Sequence, residues 1–181
     1  MKRYIPKKRW GQNFLIDSNI IDKIISSINV SSNDQILEIG PGKGAITTPL
    51  AKKAENITAI EIDSRLCDIL EKQNISNLKI LNNDFLKIDL DKLNSNIIVG
   101  NLPYYITTPI LFKIFKSKLN WEKIFFLMQK EVAERITGSP STKSYGRLTI
   151  MSQIFSNPKF LFNISPNVFR PIPKVESSFV Q

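Results

Sequence analysis

The stretch Gln35-Ile36-Leu37-Glu38-Ile39-Gly40-Pro41-Gly42-Lys43-Gly44 decides the fold. Its first half reads as a short buried strand and its glycines as a tight turn; the residues that follow predict a helix from about Ala45 to Lys53. Working outward, the same grammar repeats. Asn56 to Ile62 is a second strand ending near Glu61 and Asp63, and Ser64 is the expected cap of a helix running through Gln73. Leu78 to Asn82 is a third strand, closing on Asp84-Phe85. Ile97 to Gly100 is a fourth, with a helix around Pro109 to Phe115, and Ile124 to Met128 is a fifth, with a helix from Glu131 to Ile136. Ahead of them all, Asp17 or Ser18 can cap a helix whose Ile20, Ile21, Ile24, Ile25 and Ile28 recur at helical spacing.

Strands alternating with helices across short loops make a parallel sheet covered on both faces. The tail differs: Phe160 to Ile164 and Val175 to Val180 read as two strands with no helix between them. The proline-rich loop Pro166 to Pro173 joins them, so they should pair antiparallel at the sheet edge. The expected fold is α/β and Rossmann-like. It has a mostly parallel seven-stranded sheet, an antiparallel edge strand and helices on both faces.

A length of 181 residues suits one domain with a real core. No apolar run approaches the roughly 20 residues that span a bilayer, and the charged start lacks a secretory segment. A soluble cytoplasmic protein without a membrane partner is expected. Lys and Arg exceed Asp and Glu by a net +9. The excess gathers at Lys2, Arg3, Lys7, Lys8 and Arg9, with Tyr4 and Trp10 interleaved. That mixture fits phosphate neutralisation and base stacking, and it fits a solvated terminus equally well. There is no histidine and a single cysteine, Cys67. Imidazole bases, Ser-His-Asp triads, internal disulfides and the usual zinc sites are thereby excluded. No metal is expected, and Cys67 reads as a small core residue.

Ligands of doubly wound sheets lie at the carboxyl ends of the strands, where the polar signals of this chain fall. The turn after the first strand spaces its glycines G-x-G-x-G, unlike the G-x-G-x-x-G of dinucleotide sites, and suits a nucleoside with an amino-acid tail better than a pyrophosphate. Glu61 ends the second strand, where a carboxylate can take both ribose hydroxyls. Asp84 can accept from an adenine amine, with Phe85 on the ring. The fourth strand runs into Asn101-Leu102-Pro103-Tyr104. The amide oxygen of Asn101 and the carbonyl of Leu102 can accept the two hydrogens of an exocyclic amine while Tyr104 stacks on the base. Singly, each has an ordinary reading as a turn, an exposed acid, a loop cap or a core aromatic. Their occurrence at successive strand ends favours the joint one.

Four motifs follow one another: Gly11-Gln12-Asn13-Phe14-Leu15, the Glu38 to Gly44 turn, Asn101-Leu102-Pro103-Tyr104, and Asn167-Val168-Phe169-Arg170-Pro171-Ile172-Pro173-Lys174-Val175. From about Lys7 to the end, the chain resembles the KsgA-type ribosomal RNA adenine dimethyltransferases, the first and last motifs being the most specific. The resemblance implies a class I methyltransferase using S-adenosylmethionine. Asn13 and Leu15 would line the methionine end of the cofactor and Gly40 would let it lie against the first loop. Glu61 would hold the ribose, Asp84 and Phe85 the adenine, and Asn101 the region of the transferred methyl. Phe169 would stack on the target adenine opposite Tyr104, so Asn101, Leu102, Tyr104 and Phe169 would carry the reaction.

The implied activity is transfer to the exocyclic amines of two adjacent adenosines, each dimethylated, near the 3′ end of 16S ribosomal RNA. The implied partner is the small ribosomal subunit precursor, and the protein would be a monomer. The implied organisation is a basic arm over residues 1–16 and a catalytic domain over 17–181, without the small helical C-terminal domain of the family. The Erm-type large-subunit methyltransferases share this architecture and remain an alternative, although Gly11 to Leu15 and Leu102 resemble the KsgA type more closely. A methyltransferase-like assembly factor that acts by binding is a second alternative. DNA adenine or protein-glutamine methyltransferases use a similar tetrapeptide with two prolines, against which Leu102 argues.

Overall fold

The computed structural model describes residues 4–7, 10–119 and 121–181. Lys2, Arg3, Lys8 and Arg9 of the basic start lie outside the described residues. The chain opens with strand β1 (Phe14–Leu15) and helix α1 (Ser18–Ile28), then β2 (Gln35–Ile39), α2 (Thr47–Ala51), β3 (Asn56–Glu61) and α3 (Ser64–Glu71). The middle holds β4 (Leu78–Asn82), β5 (Ile97–Asn101), α4 (Thr107–Phe115), β6 (Lys123–Gln129) and α5 (Lys130–Ile136). Helix α6 (Arg147–Phe155) follows, then β7 (Phe160–Ile164), β8 (Phe169–Arg170) and β9 (Ser177–Val180). Among the described residues no helix is long and apolar enough to cross a membrane.

Seven strands form one sheet in the order β4-β3-β2-β5-β6-β9-β7. The pairs from β4 through β6 are parallel, while β9 runs antiparallel between β6 and the edge strand β7. This is the expected α/β sheet with its antiparallel edge. The order reverses at β2, whose neighbours β3 and β5 lead away in opposite directions, which opens a crevice at their carboxyl ends.

Successive side chains of a strand point to opposite faces, and this sheet fills both. Ile36, Ile97, Val99, Phe125, Leu127 and Phe179 meet α1 and α2 in one core. Leu37, Ile98, Phe126, Met128 and Val180 meet α4 and α5 in the other. The rings of Phe125 and Phe179 stack at 5.9 Å. Burying each such side chain is worth about 1.5–3 kcal/mol before entropy is charged against it.

Three local expectations are corrected. The cap of α3 is Asp63, whose side chain accepts from the Arg65 amide at 3.2 Å, because Asp63 and not Ser64 has the extended backbone a cap requires. Helix α6 was not anticipated. The last motif also contributes a strand: Phe169 and Arg170 of β8 pair antiparallel with Leu15 and Phe14 of β1.

Candidate active site

The crevice is floored by the glycine turn. Gly40 and Gly42 hold φ of 66° and 60°, a left-handed conformation glycine adopts without a Cβ penalty. The Gly40 amide donates to the Ile60 carbonyl at 2.9 Å, locking the turn against β3. A Cβ on Gly42 would stand 3.1 Å from Phe14 Cδ1. The first motif therefore packs directly over the turn.

Two carboxylates face this space. Glu61 is buried, with Oε2 accepting from the Gly42 amide at 3.2 Å and Oε1 from the Asp63 amide at 2.9 Å. Burial raises its pKa, while these amides oppose the rise. Glu38 is only 3% exposed, and burial, with the neighbouring Glu61 charge, pushes it up to about 7. The Thr47 hydroxyl beside it opposes that rise, although neither this hydroxyl nor Glu38 Oε2 makes a hydrogen bond of full geometry among the described residues. A buried acceptor left open is costly unless a ligand completes it. Asp84 has Oδ1 committed to the Leu86 amide at 2.9 Å, so it caps a short turn while lining the crevice beside the buried Phe85.

At the end of β5, Asn101 Nδ2 donates to the Asn13 carbonyl at 3.1 Å. That bond leaves the amide oxygen as the group free to accept. The Leu102 amide donates to the Leu127 carbonyl at 2.9 Å, and the Pro103 carbonyl is taken by Ile106 and Thr107. Among the described residues no donor is directed at the Leu102 carbonyl. Tyr104 is half-buried and its hydroxyl lies 2.8 Å from the Ser177 hydroxyl.

Every expected site residue except Phe169 lines this single crevice: Asn13, Leu15, Gly40, Glu61, Asp84, Phe85, Asn101, Leu102 and Tyr104. Phe169 is fully buried in the α1-side core and does not reach it. Alternation along β8 explains this, since Phe169 turns inward beside Leu15 and Arg170 turns toward the crevice. The aromatic sandwich with Tyr104 is absent. Glu38, Arg170 and the exposed Tyr105 are among the lining residues to which the sequence reading gave no role. Glu38 carried a usable signal, an acid between apolar neighbours in a strand buried on both faces.

An acid-and-glycine crevice at the switch point of this sheet defines a class I S-adenosylmethionine-dependent methyltransferase fold. The family described as ribosomal RNA adenine dimethylase matches residues 5–181, and the chain belongs to that family. A ribosomal RNA small subunit methyltransferase A from Alkaliphilus oremlandii is 44% identical over 183 residues, covering 96% of this chain and 64% of the relative. A dimethyladenosine transferase from Plasmodium falciparum superposes with a TM-score of 0.86 at 32% identity, covering 92% of this chain and 62% of that one. The 23S rRNA methyltransferase ErmE gives 0.82 at 31%, covering 93% and 68%. The chain spans just under two thirds of the length of the first curated relatives it matches.

Proposed function

We propose that this chain transfers methyl groups from S-adenosylmethionine to the exocyclic amine of adenosines in small-subunit ribosomal RNA. The observation that carries the reading is the state of Asn101. One Nδ2 hydrogen is committed to the Asn13 carbonyl and fixes the amide's orientation, so Oδ1 and the neighbouring Leu102 carbonyl are two acceptors for the two hydrogens of an amine. Holding those hydrogens draws the nitrogen lone pair out of conjugation and aims it. Tyr104 provides the stacking face, and Arg170, at the rim, suits a phosphate.

The lining fits the cofactor. Glu38 Oε2 suits the ammonium of the amino-acid tail, Glu61 a ribose, and Asp84 with Phe85 an adenine. Bound there, S-adenosylmethionine supplies an electrophilic methyl on a sulfonium. The protein's own part is positioning, which can recover roughly 7–11 kcal/mol of a barrier. No strong base is required, since the nitrogen becomes acidic once alkylated and can lose its proton to water. The target must be unpaired or flipped out to enter.

The reading extends to two adjacent adenosines near the 3′ end of 16S ribosomal RNA and to a cytoplasmic monomer acting on the small-subunit precursor. Residues 1–16 would serve as a basic arm beside a catalytic domain over 17–181. The test is labelled methyl transfer to unmethylated small subunits compared with bare large-subunit RNA. Transfer to the small subunit is expected. Preference for large-subunit RNA would make the chain Erm-like, and cofactor binding without transfer to either would make it a binding factor.

A further inference from the structure

The hydrogen bond that orients Asn101 begins in a segment fastened elsewhere, at one buried carboxylate. Asp63 follows β3 and is 1% exposed. Its Oδ1 serves α3, accepting from the Arg65 amide at 3.2 Å and from Arg65 Nε at 2.9 Å. Its Oδ2 faces the other way. Tyr4 Oη lies 2.8 Å from it, Gln12 Nε2 donates to it at 3.3 Å, and Arg65 Nη2 donates to it at 2.5 Å. Tyr4 Oη is also 2.7 Å from Gln12 Oε1, so its one proton is shared between two acceptors, and the Lys7 amide reaches that Oε1 at 2.7 Å. The Arg65 guanidinium covers the Tyr4 ring at 4.6 Å, and the Tyr4 ring meets Phe14 edge-on at 5.6 Å.

Capping a helix needs one carboxylate oxygen. The second oxygen here collects Tyr4 and Gln12. Burial by itself would raise the Asp63 pKa, yet Arg65, Tyr4 and Gln12 hold it well below the usual carboxylate range. The carboxylate is therefore charged and multiply bonded, a rigid anchor. One residue beyond Gln12 stands the carbonyl that takes Asn101 Nδ2 at 3.1 Å, and Asn13 Nδ2 donates back to the Gly11 carbonyl at 3.3 Å. On its other side, the Asp63 amide donates to Glu61.

We propose that Asp63 is a positioning residue for methyl transfer: it fastens Tyr4 and Gln12 to the end of β3 and thereby holds the Asn13 carbonyl where it turns the Asn101 amide oxygen toward the substrate. The idea rests on the reading of Asn101 as an acceptor. With the anchor loosened, the Asn13 carbonyl is held only from its β1 side and the Asn101 amide is free to turn. A flipped amide presents a donor to a donor, and the aminopurine is repelled. Leu15 stays in place independently through β1 and β8, so the cofactor crevice does not depend wholly on the anchor.

The test uses the full chain with Asp63→Asn, and Tyr4→Phe as a milder variant that removes one peripheral hydroxyl. Single-turnover methyl transfer to unmethylated small subunits is measured beside S-adenosylhomocysteine affinity by calorimetry. The Asn101 side-chain amide is followed by 15N NMR, assigned with Asn101→Ala. Expected for Asp63→Asn is a fall in transfer of about tenfold or more, with cofactor-analogue affinity held within about fivefold. The Asn101 amide resonance should move in both variants. A residue that merely supports folding would lower the melting temperature and leave that resonance and the low-temperature transfer rate alone, and this result overturns the proposal. If Asp63→Asn does not fold, Tyr4→Phe decides by the same two readouts. Full transfer by Asn101→Ala would instead remove the acceptor reading beneath it.

Discussion

The hydroxyls of Tyr104 and Ser177 lie 2.8 Å apart, tying the aromatic face of the crevice to a fully buried residue of β9. Burial pushes the Tyr104 phenol up and the Ser177 bond opposes the rise, so the ring is held neutral and fixed in tilt. Tyr104→Phe and Ser177→Ala break the same bond, worth about 1 kcal/mol. Each should raise the KM for RNA several-fold, and the double variant should be little worse than either alone. Additive effects would show that the pair does not act as a unit. Tyr104→Ala removes the stacking face as well and should cost about 1–3 kcal/mol of base capture.

Asn101→Ala removes one of the two proposed amine acceptors. Transfer should fall below detection while S-adenosylmethionine affinity, by calorimetry, stays within about fivefold, because the loss falls on orientation of the nucleophile. Retained methylation by this variant contradicts the assigned role.

Glu38 predicts a pH dependence. Its pKa near 7 in the free protein lies above the ordinary value of about 4.3, so the folded state binds more protons between those pH values. Stability of the free protein therefore falls as pH rises through that window. If Glu38 receives the ammonium of the cofactor's amino-acid tail, binding favours its ionised form, and cofactor affinity should strengthen as pH rises through about 7 and weaken below it. Glu38→Gln should raise the melting temperature of the free protein at pH 8 and flatten the affinity profile. A flat profile in the wild type removes Glu38 from the cofactor site.

Phe169 now reads as a core residue, which changes what its substitution does. Phe169→Ala should destabilise by about 3–5 kcal/mol, seen as a large drop in the melting temperature. Phe169→Leu keeps much of the packing, and its transfer rate at low temperature should stay within about threefold of wild type. A tenfold loss in a stable Phe169→Leu protein would restore a role at the base.

Much of this was legible because strand ends in a parallel sheet are punctuated by residues that the core does not want. Glu61 and Asn101 break apolar runs, Asp84 closes the polar turn Asn82-Asn83-Asp84, and the topology carries all three to one edge. Helix α6 stayed hidden because it inverts the usual pattern. Its inward face carries Thr149 and Ser152, while Ile150, Ile154 and Phe155 are exposed, so no apolar stripe announces it. Its start is stitched by Thr149 Oγ1, which accepts from the Gly146 amide at 3.0 Å and donates to the Arg135 carbonyl at 2.5 Å. Phe169 misled because a two-residue strand has no period of its own. Its inward turn is dictated by Leu15, far away in the chain, and no local pattern encodes that partner.

The pairing of Leu15 with Phe169 also orders events during synthesis. The crevice-lining motif Gly11 to Leu15 is made early, yet its backbone partner emerges only after most of the domain has been translated. A nascent chain that has released Asn101 but not Arg170 holds its acceptor amide beside an unclosed crevice. The wall of the crevice that Arg170 lines is therefore completed only when that late-made ribbon pairs with the early one.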